Sequence, residues 1–181
     1  MKIVYPSNPY DAKGLLCAAI EDPNPYLYFE HKLLYRSVKD LIPDDYYTIE
    51  VGKGRLVAEG NDLSIITYGM GVHWVKEAMA SLTDLQADIL DLRTLPPWDK
   101  EAVAETIKKT NRAIVLHEDT LTGGVGAEIA AWISEELFSS LDAPVLRVAS
   151  LDTPIPFAAS LEKNFLPVAR LQARIEELMK Y

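Results

Sequence analysis

Apolar positions recur along this chain in two ways, and the alternation between them predicts its architecture. Ile3–Tyr5 and Tyr26–Phe29 are short runs of β-branched, aromatic and aliphatic residues and predict strands. Between them Ala12, Leu15, Leu16, Ala19 and Ile20 recur at helical spacing and predict a helix with a buried stripe. Asn8 is placed to cap that helix, Pro9 to open it, and Asp11 to meet its N-terminal dipole. Asp22-Pro23-Asn24-Pro25 ends it. Residues 2–29 thus predict one β-α-β unit, too small to bury both of its faces alone. The first strand has no partner before it, so residues 1–36 are expected to be the remnant of a larger α/β unit.

Residues 37–53 carry Ser, Asp, Pro and Gly without a period and read as a linker. A regular alternation follows. Strands are predicted at Arg55–Ala58, Leu63–Tyr68, Ala87–Leu92, Ala113–Leu116 and Val145–Val148, the first two joined by a turn at Glu59-Gly60-Asn61-Asp62. Helices are predicted by Val72, Val75, Met79, Leu82 and Leu85, by Val103 and Ile107 behind an Asp99 cap, by Val125, Ile129, Ile133 and Leu137, and by Leu171, Ile175 and Leu178. This order predicts an α/β fold over residues 54–181: a mainly parallel sheet covered by helices on both faces.

Composition narrows the function. Hydrophobic residues make up 49% and charged residues 25%, which suits a globular chain with a real core. The net charge of −9 repels phosphate backbones, so no nucleic-acid partner is expected. Cys17 is the only cysteine, which excludes an internal disulfide or a cysteine-ligated zinc. No apolar run approaches the ~20 residues of a membrane span, and no signal peptide is legible, so a cytoplasmic setting without membrane partners is expected.

The chemistry-bearing residues are few. His117-Glu118 ends a predicted parallel strand, where open α/β sheets place ligands. The loop Thr122–Gly126 leads into a helix; it suits either anion binding by backbone N–H groups or, more simply, a tight turn with close helix–sheet packing. It holds no lysine, which argues against a nucleotide P-loop. His73 and His31 sit at element ends, either facing a ligand or simply solvated, and lack a third ligand at zinc spacing. Asp22 and Asn24, beside the free carbonyls of a helix end, make an oxygen-rich corner suited to a hard cation, or else a simple Asx helix stop. Arg93 is placed either to clamp a carboxylate across an interface or to pair with Asp91 or Asp99.

Six strings in order carry a resemblance. They are Tyr10–Leu16; Phe29-Glu30-His31-Lys32 with Leu34-Tyr35-Arg36; Ile65–Gly69; Asp91–Leu95 with Pro97-Trp98-Asp99; His117-Glu118 with Leu121–Gly124; and Asp152–Pro156. Together they resemble the C-terminal portion of the beta subunit of the thiamine-diphosphate-dependent 2-oxo acid dehydrogenases. Pro97-Trp98-Asp99 and Ile20-Glu21-Asp22-x-Asn24-Pro25 are similar to the branched-chain (2-oxoisovalerate) type rather than the pyruvate type.

The resemblance implies that residues 1–36 end a pyrimidine-binding domain. Residues 54–181 would form a transketolase C-terminal-like domain, a three-layer αβα sandwich with a mixed, mostly parallel sheet. It implies oxidative decarboxylation of a 2-oxo acid with acyl transfer to a lipoyl group, using thiamine diphosphate and Mg²⁺. Neither the cofactor-contacting glutamate nor the active-site histidine of the family has a match here, so no catalytic or cofactor-binding residue is assigned. A partial potassium site is implied at Ala19, Asp22 and Asn24, with its other ligands upstream. The implied partners are an alpha subunit (or an upstream part of the same chain), a second beta chain, and the docking domain of the lipoyl acyltransferase. Trp74, Trp132 and Phe157 are candidates for those interfaces as well as for the core. Other readings are a pyruvate- or acetoin-type beta subunit, a stand-alone flavodoxin-like module using the Gly123–Gly126 loop, and a non-catalytic scaffold.

Overall fold

The computed structural model describes residues 1–181. In chain order its elements are β1 (Lys2–Val4), α1 (Pro9–Glu21), β2 (Tyr26–Tyr28), α2 (Leu34–Ser37), β3 (Arg55–Ala58), β4 (Leu63–Thr67), α3 (Met70–Ser81), β5 (Ala87–Asp91), α4 (Lys100–Thr110), β6 (Ala113–Thr120), α5 (Val125–Glu136), β7 (Leu146–Ser150), α6 (Ala159–Phe165) and α7 (Val168–Leu178). A short 3-10 turn at Phe138–Ser140 follows α5.

Strands β3 to β7 form one sheet in the order β3-β5-β4-β6-β7, parallel except for β3. Leu63 and Ile65 of β4 face one core with Trp74 and Val75 of α3 and Leu171, Ile175 and Leu178 of α7. Ile66 faces the opposite core with Val103 and Ile107 of α4 and Ile129 and Ile133 of α5. Successive side chains point to opposite faces, so strands covered by helices on both faces, as β4 and β5 are, are buried throughout. The three-layer α/β architecture is as expected from the alternation.

The turn after β3 holds, but β3 and β4 are not neighbours. β5 lies between them, pairing antiparallel with β3 and parallel with β4. The turn is tied to the start of β5: Gly60 N–H donates to Asp88 (2.9 Å), and Gln86 N–H donates to Asp62 (2.7 Å).

Asn8 caps α1 through its side chain, which accepts from Asp11 N–H, and Asp99 caps α4 by accepting from Ala102 N–H. The expected buried stripe of α1 is only half realised. Leu15 is fully buried, whereas Leu16 and Ile20 are 46% and 75% exposed, because no layer covers that side. Helix α3 stops at Ser81, short of Leu82 and Leu85, which still pack on the core from the following loop. The short helices α2 and α6 lacked a periodic signal.

β1 and β2 form a separate parallel pair. It is joined to the large sheet by backbone bonds from Ile3 N to Pro96 O, Tyr5 N to Arg93 O and Leu95 N to Ile3 O, at 2.8–3.0 Å. Segment 38–54 has no regular structure but lies along α1. Ile49 N–H donates to Gly14 O, Tyr47 OH to Tyr10 O, and the Lys13 ammonium meets the carbonyls of Pro43, Asp44 and Asp45. A side chain at Gly14 would collide with Ile49 at 2.6 Å, so glycine is what lets this segment close on the helix. Trp74 is a core residue, while Trp132 stands edge-on to Trp98 with ring centroids 5.0 Å apart. Phe157 is fully exposed.

Candidate functional site

The C-terminal ends of β1, β2, β4 and β6 converge, and the chemistry-bearing side chains gather there. Tyr5 follows β1, Phe29 and His31 follow β2, Tyr68 follows β4, and Glu118 lies within β6, which runs on to Thr120 instead of ending at Leu116. The Tyr5 ring packs against Phe29 and Tyr68 with centroids 6.0 and 5.7 Å apart. Its hydroxyl donates to Glu118 Oε2 (3.3 Å), and His31 Nε2 meets Glu118 Oε1 (3.1 Å). Burial, and then the Glu118 charge, push the Tyr5 phenol well above its ordinary range; burial does the same to Tyr68. Both are neutral hydroxyls at physiological pH. Beside them opens a mainly apolar cavity of about 470 Å³, lined among others by Ile3, Phe29, Ile155 and Phe165 with Glu118 and Glu162 at its edge.

His117, next in sequence to Glu118, points the other way. It is fully buried, and neither ring nitrogen has a hydrogen-bond partner. The ring fills the space beneath the glycine loop: a Cβ on Gly124 would lie 2.5 Å from its Cε1. The loop is therefore closely packed on the imidazole. Burial lowers the His117 pKa, keeping the ring neutral.

A second cluster ties the small β-α-β unit to the large sheet. Asp11 and Asp91 are both fully buried. Arg93, at φ 59°, donates to Asp11 Oδ1 (3.2 Å) and to the carbonyls of Lys53 and Gly54. Arg55 Nε lies 3.5 Å from Asp11 Oδ2, an ion pair without a well-formed hydrogen bond. Arg93 is thus a carboxylate clamp, but its partner is Asp11 rather than Asp91 or Asp99. Sequence reasoning placed Asp11 at a helix dipole and missed this role, because the pairing spans residues 11 and 93. Asp91 accepts from Ser7 Oγ (2.5 Å) and Arg93 N–H (3.0 Å), yet burial raises its pKa to about 6. His73 Nε2 donates to Ser7 O (2.7 Å), so this histidine also joins the two sheets.

At the end of α1, Asp22 is surrounded by donors. Its carboxylate takes the Lys2 ammonium, Tyr26 OH (2.8 Å), and the backbone and side-chain N–H groups of Asn24 (2.9 and 2.7 Å). Any further cation at the Ala19–Asp22–Asn24 corner competes with that ammonium. No cluster of three or more His, Cys, Asp or Glu side chains is arranged for a metal ion, and no helix is long and apolar enough to cross a membrane.

Residues 52–170 match the family described as transketolase, C-terminal domain. The chain belongs to that family. It is 43% identical over its whole length to the 2-oxoisovalerate dehydrogenase subunit beta of Bacillus subtilis, covering 57% of that protein. It is 43% identical to the acetoin:2,6-dichlorophenolindophenol oxidoreductase subunit beta and 46% identical to the pyruvate dehydrogenase E1 component subunit beta of the same organism. Each of these two matches takes in 92% of this chain and 49% or 52% of the relative. The chain therefore spans about half the length of the curated relatives it matches. A solved structure described as a split-gene transketolase, inactive beta4 tetramer, superimposes on 99% of the chain with a TM-score of 0.78. At 24% identity it bears on the fold alone. The chain is accordingly a transketolase C-terminal-type domain with a preceding β-α-β unit, similar to beta subunits of 2-oxo acid dehydrogenases.

Proposed function

We propose that this chain is the C-terminal part of the beta chain of a cytoplasmic branched-chain 2-oxo acid dehydrogenase. Residues 1–36 end its pyrimidine-binding domain, residues 37–53 link, and residues 54–181 form the transketolase C-terminal-like domain. Its work is assembly: contact with an alpha subunit or upstream chain, with a second beta chain, and with the docking domain of the lipoyl acyltransferase. The supporting observation is the 43% identity to a 2-oxoisovalerate dehydrogenase beta subunit across the whole chain. The resemblance of Pro97-Trp98-Asp99 and the Ile20–Pro25 turn to the branched-chain type supports that substrate class over pyruvate.

Thiamine diphosphate with Mg²⁺ would be held by residues outside this chain and would supply the nucleophilic carbon that the 2-oxo acid needs. The residues here fix geometry. The Asp11–Arg93 clamp and the Tyr5–Glu118–His31 hydrogen bonds lock the β1–α1–β2 unit onto the large sheet. Positioning of that kind governs how reacting groups align across subunits. Potassium at the Ala19–Asp22–Asn24 corner belongs to the same proposal and requires the Lys2 ammonium to move.

The test is reconstitution. The chain alone, with thiamine diphosphate, Mg²⁺, 2-oxoisovalerate and an artificial electron acceptor, should show no turnover. Joined to the upstream half and an alpha subunit, it should oxidise 2-oxoisovalerate in preference to pyruvate and acetoin. Turnover by the pure, mass-verified chain overturns the assembly role; a preference for pyruvate or acetoin overturns the branched-chain assignment.

A further inference from the structure

At the sheet edge away from the β1–β2 pair, the charge of the molecule reverses locally. Arg147 of β7 and Arg170 and Arg174 of α7 line a cavity of about 380 Å³ beside the end of β7, with Ser150 and Asp152. Its lining carries three positive charges against one negative, on a chain whose net charge is −9. Neither Arg147 nor Arg170 forms an ion pair with any carboxylate. Asp152, the single lining carboxylate, is engaged by Thr122 through both its backbone N–H (2.8 Å) and its hydroxyl (2.7 Å).

Backbone carbonyls hold the guanidinium groups in place without neutralising them. Arg147 Nη1 donates to Leu121 O (2.9 Å). Arg170 donates to Asn164 O, Ala149 O and Phe165 O at 2.8–2.9 Å. Arg174 lies one helical turn beyond Arg170 and is held by Glu177 (2.5 Å), a contact that a stronger anion can displace. Preorganised guanidinium groups reaching a cavity from a strand and from a helix suit an anion with several oxygens, such as a phosphate group. The three guanidinium groups outnumber Asp152 in the lining and Glu177 beside it, leaving a net positive charge that favours an anion. The volume exceeds that of a bare ion and lies in the range of small-ligand pockets.

We propose that the Arg147–Arg170–Arg174 cavity binds a small phosphate-bearing metabolite through its phosphate group. The site lies beside the Tyr5–Glu118–His31 cluster: Ser150, which lines it, donates to Glu118 O (2.5 Å), so its occupancy would reach that cluster through the neighbouring strand.

The probe is inorganic phosphate, titrated calorimetrically into the full chain at constant ionic strength set with chloride. Saturable binding is expected for the wild type. Arg174→Gln removes one charge-assisted contact on the solvent side of the helix and should weaken binding on the order of tenfold. Glu177→Gln removes the competing carboxylate and should tighten it. Arg147→Met should abolish binding; if it fails to fold, the two α7 variants still decide. Phosphate also raises stability generally by exclusion from protein surface, so thermal shifts are read only as differences between variants. No saturable binding, or equal affinity in wild type and Arg174→Gln, overturns the proposal.

Discussion

The ring of His117 stands where a side chain on Gly126 would have to go: a Cβ there would lie 2.1 Å from His117 Cδ2 and 2.5 Å from Nε2. Alanine at 126 must either displace a fully buried imidazole or lift α5 off β6. Gly126→Ala is expected to cost about 1–3 kcal/mol, the usual range for overpacking, measured by urea denaturation. In a His117→Ala background the same substitution should be close to neutral, since the clash is with that ring. Additive costs in the double variant would show that the glycine serves some other purpose.

Asp91 and His117 pull stability in opposite directions with pH. Burial raises the folded pKa of Asp91 to about 6, so its contribution is full below the unfolded value near 3.9 and is lost as pH rises through 6. Burial lowers that of His117, so its contribution is present above the unfolded value of about 6.5 and is lost as pH falls through the folded pKa. Asp91→Asn keeps an acceptor for Arg93 N–H and removes the charge. Its melting temperature relative to wild type should rise as pH goes from 4 to 8. A difference that stays constant with pH would mean that Asp91 does not titrate in this range.

The Asp11–Arg93 clamp should set how firmly the small unit is docked. Removing one member of a buried ion pair typically costs about 3–5 kcal/mol, because the other charge is left uncompensated. In Asp11→Ala, hydrogen exchange at Val4 and Leu27 should accelerate well beyond that at Ile66 and Val115, as the β1–β2 pair opens locally. Uniform acceleration would mean that both sheets unfold as one unit.

The Asp22 corner should be indifferent to potassium in this chain. Hydrogen bonds from Lys2 and Asn24 hold the Asp22 carboxyl well below the usual carboxylate range, so an ammonium already serves as its cation. Melting temperatures in K⁺ and Na⁺ should agree. A K⁺-specific rise that disappears in Asp22→Ala would show that Ala19, Asp22 and Asn24 hold the ion despite Lys2.

Local signals were decisive where a feature depends on neighbours in sequence. The caps at Asn8 and Asp99, the stripes of α4 and α5 and the strand read at Leu63–Tyr68 could all be read directly, because propensity, capping and periodicity act within a turn or a strand. The six ordered strings likewise marked the family. Strand order was not legible: β3 looks like the neighbour of β4, yet Asp62 and Asp88 hold the turn so that β5 enters between them. Nor was the burial of Asp11, a surface helix-start residue by its local context, which only the approach of Arg93 and Arg55 converts into the centre of a charge cluster. The roles of Gly124 and Gly126 were half legible. The sequence pointed to close packing, but only the tertiary fold supplied the partner, His117, because which side chain fills a cleft is set by long-range pairing of strand and helix.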